Sequence, residues 1–148
     1  MACFVDTNVL CRFADESSSH HRAARQSISS LFGRGELLCV SPQIIIEFWA
    51  VATRPVSANG LGWNTAKAGE HVRELFGQFE LLPETDVFPI WWALVNEAGV
   101  SGKRAHDARI VAVMQRNNGA RILTFNTDDF APFKSVSVLH PDQVIIPT

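Results

Sequence analysis

The side chains of this 148-residue chain best suited to chemistry are carboxylates set at the ends of apolar segments. Asp6 separates the apolar run ACFV from TNVLCRFA, Glu47 lies inside QIIIEFWAVATR, and Asp107 follows SGKRAH at the head of an amphipathic run. Thr124, Asn126, Asp128 and Asp129 fall within RILTFNTDDF, at or just past another strand-like segment. Taken singly, most of these have a structural explanation. Asp6 and Asp107 suit helix N-caps or N-terminal charges, and TFNTDD reads as turn chemistry. Glu47 is harder to explain, because its neighbours at helical spacing, Ile44 and Val51, and the adjacent Phe48 are apolar and no basic residue lies within a turn. An ionised carboxylate beside a buried stripe needs a cation or a distant Arg, unless it lies at the stripe's edge and reaches water.

Their chemistry follows from being brought together. Crowded carboxylates repel one another, which raises their proton affinity unless a divalent cation neutralises them. Hard oxygen donors without His or Cys partners select Mg²⁺ or Mn²⁺ over Zn²⁺. Cys3, Cys11 and Cys39 lie in apolar stretches without C-x-x-C spacing and read as small buried hydrophobes. A net charge of −2 gives no global attraction to nucleic acid, so such binding must come from a local basic surface or through metal ions.

The elements that would position these groups alternate. ACFV and GELLCVS read as strands, ELLPE is strand-like, and RILTFN and SVSVLH are further strands. Between them fall helical patterns over TNVLCRFA, 20–32, QIIIEFWAVATR, 65–79, 87–98 and 106–117. On the helix over 20–32, Ala24, Ile28, Leu31 and Phe32 are expected on the inner face. Ser41 and Pro42 suit a helix start, Gly99 a C-cap, and RPVSANGLGW a loop. Alternating strands and helices imply an α/β fold, a three-layer α/β/α sandwich with a mainly parallel sheet whose ligands bind at the carboxyl ends of strands. Residues 1–148 are expected to form a single domain, since 47% hydrophobic and 19% charged residues is a globular balance. No apolar run reaches membrane-spanning length and no basic segment precedes the first apolar stretch, so a cytoplasmic protein is expected.

In FVDTNVL, IIIEFWAVATRP, SANGLG, HDARIVAVM and the T-x-N-x-x-D-F spacing of ILTFNTDDF, the chain resembles the PIN-domain nucleases, and among them the VapC-like toxins of type II toxin–antitoxin pairs. The resemblance implies a PIN-like fold and hydrolysis of RNA with Mg²⁺ or Mn²⁺. Asp6, Glu47 and Asp107 match the family's first three acidic positions, and Asp129 matches the acid before the aromatic Phe130. Asn126 stands where many members carry Asp, which implies a polar ligand or substrate contact and a weakened second metal site. Thr7, Asn8 and Thr124 match small polar positions beside the acids. On this reading Asp6 and Asp107 hold the principal metal, and Glu47 and Asp129 complete the site directly or through water. The resemblance also implies a homodimer and a small antitoxin partner.

Arg12, Arg54, Lys103, Arg104 and Arg109 are candidates for positioning RNA, or solvated surface charges. Trp49, Trp63, Trp91 and Trp92 are read as packing or subunit-interface residues rather than base-stacking ones. Two other classes compete. A receiver-type phospho-signalling domain would need paired N-terminal acids and a late strand-end Lys, neither of which appears. A catalytically weakened PIN-like binding module is compatible with Asn126, while Asp6, Glu47 and Asp107 argue against it.

Overall fold

The computed structural model describes residues 2–144. The elements run β1 (Ala2–Val5), α1 (Thr7–Ala14), α2 (His21–Gly33), β2 (Leu37–Val40), α3 (Pro42–Thr53), α4 (Thr65–Gln78), β3 (Glu80–Leu81), α5 (Phe88–Ala98), α6 (Arg104–Arg116), β4 (Arg121–Leu123), β5 (Ser137–Leu139) and α7 (Pro141–Val144). Short 3-10 turns form at Val56–Ala58 and Thr127–Phe130. The strands make one five-stranded sheet in the order β3-β2-β1-β4-β5, parallel at every pairing.

The central strand is apolar without alternation because both its faces are covered: Cys3, Phe4 and Val5 are fully buried. Phe4 stands opposite Cys39 on one side and Ile122 on the other. From β1 the chain steps outward through β2 and β3, then returns to add β4 and β5 on the opposite side. The direction of winding therefore reverses between β1 and β4, and a crevice opens at their carboxyl ends. A receiver domain would show the order 2-1-3-4-5 instead.

Local signals set the element ends. The Ser41 hydroxyl accepts from the Ile44 N–H at 3.3 Å with Pro42 in the first turn, which starts α3. Gly99 ends α5 at φ +63°, a conformation that suits glycine. Gly119 permits a close approach, since a Cβ there would lie 2.9 Å from Phe4 Cε1. The core includes Val9, Leu10, Ile44, Phe48, Val111, Met114 and Ile122.

Several expectations change. On α2 the buried stripe is Ala24, Ser27, Ile28 and Leu31, with the Ser27 hydroxyl donating to the Ala24 carbonyl at 2.9 Å. Phe32 falls at its edge, 40% exposed, with its ring centroid 5.9 Å from that of Phe79. Only Glu80–Leu81 of ELLPE is strand, at the sheet's edge, where Pro83 has no N–H to continue a ladder. The helix expected from 106 begins at Arg104, which moves Asp107 from the helix boundary into its first turn. Among the described residues no helix is long and apolar enough to cross a membrane.

Candidate active site

Asp6 leaves β1 at the crevice and is 8% exposed. Its Oδ1 accepts from the Thr7 N–H at 2.8 Å. Its Oδ2 accepts from the Thr124 hydroxyl at 2.8 Å and from Asn8 Nδ2 at 3.2 Å. The Thr124 hydroxyl is used completely: its proton goes to Asp6, and its lone pairs receive Asn8 Nδ2 at 3.1 Å and the Asn126 N–H at 3.0 Å. Asn8 Oδ1 accepts from the Phe125 N–H at 3.0 Å, so its amide spans the ends of β1 and β4. Asp6 is therefore oriented by three neutral donors as well as serving as the N-cap of α1.

Four further carboxylates line the same cleft of about 680 Å³, Glu47, Asp107 and Asp129 together with Asp15 at the end of α1. Glu47 projects from α3, with Oε1 accepting from the Thr7 hydroxyl at 3.0 Å and Oε2 from Gln43 Nε2 at 3.5 Å. Glu47 is half-buried, and its partners are neutral rather than cationic. Asp107 makes no cap: Lys103 holds the cap position of α6 without a side-chain bond, and Asp107 Oδ2 is buried with no hydrogen-bond partner among the described residues. Asp129 is carried by the 3-10 turn Thr127–Phe130, which Arg104 clamps to the start of α6 by donating Nη1 to the Asp128 and Asp129 carbonyls at 3.1 and 3.0 Å.

Burial pushes Asp6 up to about 6, helped by the charges of Glu47 and Asp129 and opposed by its bonds from Thr124 and Thr7. Asp107 is also pushed up to about 6, first by burial and then by the charges of Asp129, Asp6 and Glu47, with Lys103 opposing. Among the described residues none of these acids forms a salt bridge. The cluster is thus tempered by nearby cations such as Lys103 but by no direct ion pair among the described residues.

Residues 3–137 match the PIN domain family. The chain belongs to that family. Solved structures of the same fold include the VapBC2 complex of Rickettsia felis bound to a promoter DNA fragment, at 11% identity over 95% of this chain and 98% of that one, with a TM-score of 0.69. The sarcin–ricin-loop-cleaving toxin VapC20 of Mycobacterium tuberculosis aligns at 17% identity over 90% and 95% of the two chains, with a TM-score of 0.65. A toxin–antitoxin complex from Klebsiella pneumoniae aligns at 21% identity over 94% and 97%, with a TM-score of 0.64. No curated protein matches the sequence.

The cations of this PIN domain divide into two groups. Arg12, Arg54 and Lys103 line the cleft, Arg12 with its guanidinium carbon 4.4 Å from the Phe125 ring centroid and Arg54 donating to the Asn59 carbonyl at 3.2 Å. Arg104 is committed to the Asp129 turn. Arg109 does not line the cleft; it is ion-paired with Glu84, whose other oxygen accepts from the Gln43 N–H at 2.8 Å. Asn126 lines the cleft with no cap bond from its side chain, whereas Thr7 and Asn8 combine lining with the hydrogen bonds above. Thr124 is fully buried behind Asp6.

Sequence reading missed Gln43, which is buried and ties Glu47 to α6 by donating to the His106 carbonyl at 2.9 Å. Its signal was its place one turn before Glu47 on the same face. Asp15, Ser18 and Asn59 also line the cleft and were not singled out. Cys11 lines it too, but burial pushes its thiol up to about 12, so it offers no thiolate.

The donors fit a hard divalent cation: every acid offers oxygen, and Asp107 Oδ2 is a buried acceptor without a donor. Among the described residues no three of His, Cys, Asp and Glu form a ready-made metal cage.

Proposed function

We propose that this PIN domain is an endoribonuclease that needs Mg²⁺ or Mn²⁺ and serves as the toxin of a toxin–antitoxin pair. The observation that carries the reading is the buried, unpartnered Oδ2 of Asp107, a residue that lines the same cleft as Asp6, Glu47 and Asp129. Asp6 and Asp107 hold the ion, with Glu47 and Asp129 binding it directly or through water. When bound, the ion supplies Lewis acidity toward water and the phosphodiester. Thr7, Asn8 and Thr124 fix Asp6 in one orientation and Thr7 also holds Glu47, so little reorganisation of these two is needed as the reaction proceeds. Arg12, Arg54 and Lys103 bring the RNA backbone against an acidic cleft that would otherwise repel it. Asn126 offers an amide to substrate or water where a carboxylate would add charge.

The toxin assignment draws on the shared fold with the VapBC and other toxin–antitoxin structures. A small antitoxin and a second copy of the chain are the proposed protein partners, and the cytoplasm the proposed location. Exposed Ile46 and Trp49 on α3, and Phe88 and Trp92 on α5, give apolar surface that such partners would cover.

The test is cleavage of labelled single-stranded and structured RNA with Mn²⁺, Mg²⁺ or excess chelator, alongside induced expression in cells. Cleavage that requires the ion, and growth arrest that Asp6→Asn relieves, support the reading. Full cleavage in chelator, or equal growth arrest by wild type and Asp6→Asn, overturns the metal mechanism or the toxin role respectively.

A further inference from the structure

Beside the acidic cleft lies a second groove of about 600 Å³ that shares Asp15 and Leu61 with it, so the two are immediate neighbours. One wall is aromatic. The rings of Trp63 and His71 lie 4.4 Å apart between centroids at an interplanar angle of 31°, and Lys67 Nζ sits 4.5 Å from the Trp63 centroid. The other wall, at the end of α1, carries Asp15, Glu16 and Ser17.

The platform is held rigidly. The Leu61, Gly62 and Trp63 N–H groups donate to the Val51, Arg54 and Ala52 carbonyls, each at 2.9 Å, which pins the loop to the end of α3. Gly60 is required there, because a Cβ would fall 2.0 Å from the Arg54 carbonyl oxygen. Trp63 also meets core Phe48 edge-on, with centroids 6.4 Å apart. Both Trp63 and His71 remain only half-buried. Lys67 lies over the Trp63 ring and His71 packs against it, so the wall is a fixed, partly exposed aromatic–cation cluster of the kind that stacks on bases of single-stranded nucleic acid, the lysine swinging aside as a base enters.

We propose that this groove holds an unpaired base of the RNA, next to the linkage cut in the acidic cleft. The proposal rests on the ribonuclease reading and names the substrate feature that reading leaves open. Asp15 and Glu16 repel a phosphate, so the base rather than the backbone enters between the walls. Asp15 Oδ1 already accepts from the Ser17 N–H and hydroxyl, and the remaining carboxylate oxygens accept hydrogen bonds, which favours bases with an exocyclic amine, among them adenine and cytosine, over uracil, which has none.

The test measures binding of fluorescently labelled twelve-nucleotide oligo-A, oligo-C and oligo-U by anisotropy with Ca²⁺ present, and cleavage of the same oligomers with Mn²⁺. Wild type should bind oligo-A and oligo-C more tightly than oligo-U. Trp63→Ala and His71→Ala should each weaken oligo-A binding by about tenfold, while Trp63→Phe, which keeps the ring and the core contact, retains most of it. In cleavage, Trp63→Ala and His71→Ala should raise KM and leave kcat nearly unchanged. Unaltered binding and KM in folded His71→Ala and Trp63→Ala, or equal binding of all three oligomers, overturns the groove even if the chain cuts RNA. Ring-dependent binding with no cleavage in Mn²⁺ leaves the groove standing and removes the nuclease reading.

Discussion

Glu36, just before β2, and Asp6, just after β1, stand at opposite ends of the same parallel sheet, and both are largely withdrawn from water. At the amino end, β4 brings Arg121 to Glu36, with Nη2 and Oε2 2.5 Å apart. At the carboxyl end, Asp6 receives three neutral donors and shares a cleft with Glu47, Asp107, Asp129 and, farther along, Asp15. Neutral donors orient a carboxylate without cancelling its charge, and burial, with the neighbouring carboxylates adding to it, raises Asp6 and Asp107 to about 6. Glu84, paired with Arg109, follows the pattern of Glu36. Glu36 and Glu84, which tie elements together, are each paired with an arginine, whereas Asp6, Glu47, Asp107 and Asp129 have no ion-pair partner among the described residues and await a charge from outside.

The sharpest way to break the contrast is to neutralise the cleft acids one at a time. Asp107→Asn and Asp6→Asn keep shape and remove charge, and each should lower metal-dependent RNA cleavage by more than about a hundredfold while the chain remains folded. Gel-based cleavage with circular dichroism melts checks this. Wild-type cleavage by either variant would mean that its carboxylate is not part of the chemistry.

Stability should invert with pH at the same place. The folded pKa of Asp6, about 6, lies above the ordinary 3.8, so the folded chain binds this proton more tightly than the unfolded one. The stabilisation is complete below pH 3.8 and is lost as pH rises through about 6. Between pH 4.5 and 7.5 without metal, wild type should lose on the order of 2 kcal/mol more than Asp6→Asn, which cannot titrate there. At pH 7.5 a hundredfold excess of Mn²⁺ over its Kd should restore about 2.7 kcal/mol. Glu47→Gln should shrink that metal shift. Parallel pH profiles for wild type and Asp6→Asn would show that burial does not strain this carboxylate.

A smaller effect separates orientation from charge. Thr124→Val keeps the volume but removes the hydroxyl that donates to Asp6 and receives Asn8 and the Asn126 N–H. Cleavage should fall by about tenfold, and the acid limb of its pH profile should move upward because a bond favouring the ionised form is gone. A tenfold loss with an unmoved acid limb would assign Thr124 to packing instead.

The alternation of strands and helices was legible because each element carries its own period and ends in its own punctuation, as with Ser41–Pro42 and Gly99. Asp6 and Glu47 could be picked out for the same reason, one closing a buried run and the other interrupting an apolar stripe. What was not legible is tertiary. Nothing local shows that Asn8 bridges to Thr124, that Gln43 reaches the His106 carbonyl, or that Arg109 is taken by Glu84 away from the cleft. Asp107 looked like a helix cap because its helix seemed to start at 106; the start at Arg104 leaves its carboxylate inside the turn. The choice between Asp128 and Asp129 depended on a 3-10 turn whose orientation Arg104 sets from another element.

The smallest expected effect tests the other half of the comparison. Glu36→Gln keeps an oxygen that can accept from Arg121 and removes the negative charge, leaving a partly buried guanidinium beside a neutral amide. Both side chains retain some contact with water, 13% for Glu36 and 26% for Arg121, so solvent screens part of the loss and the destabilisation should be about 1 kcal/mol. Because the charge change lies at the far end of the sheet, the Mn²⁺-induced rise in melting temperature and the cleavage rate should both match wild type. Melts with and without Mn²⁺, paired with cleavage rates, give the decisive combination. If Glu36→Gln reduces the metal shift as strongly as Glu47→Gln does, the two ends of the sheet are electrostatically coupled, and the division between self-neutralised and externally neutralised acids fails.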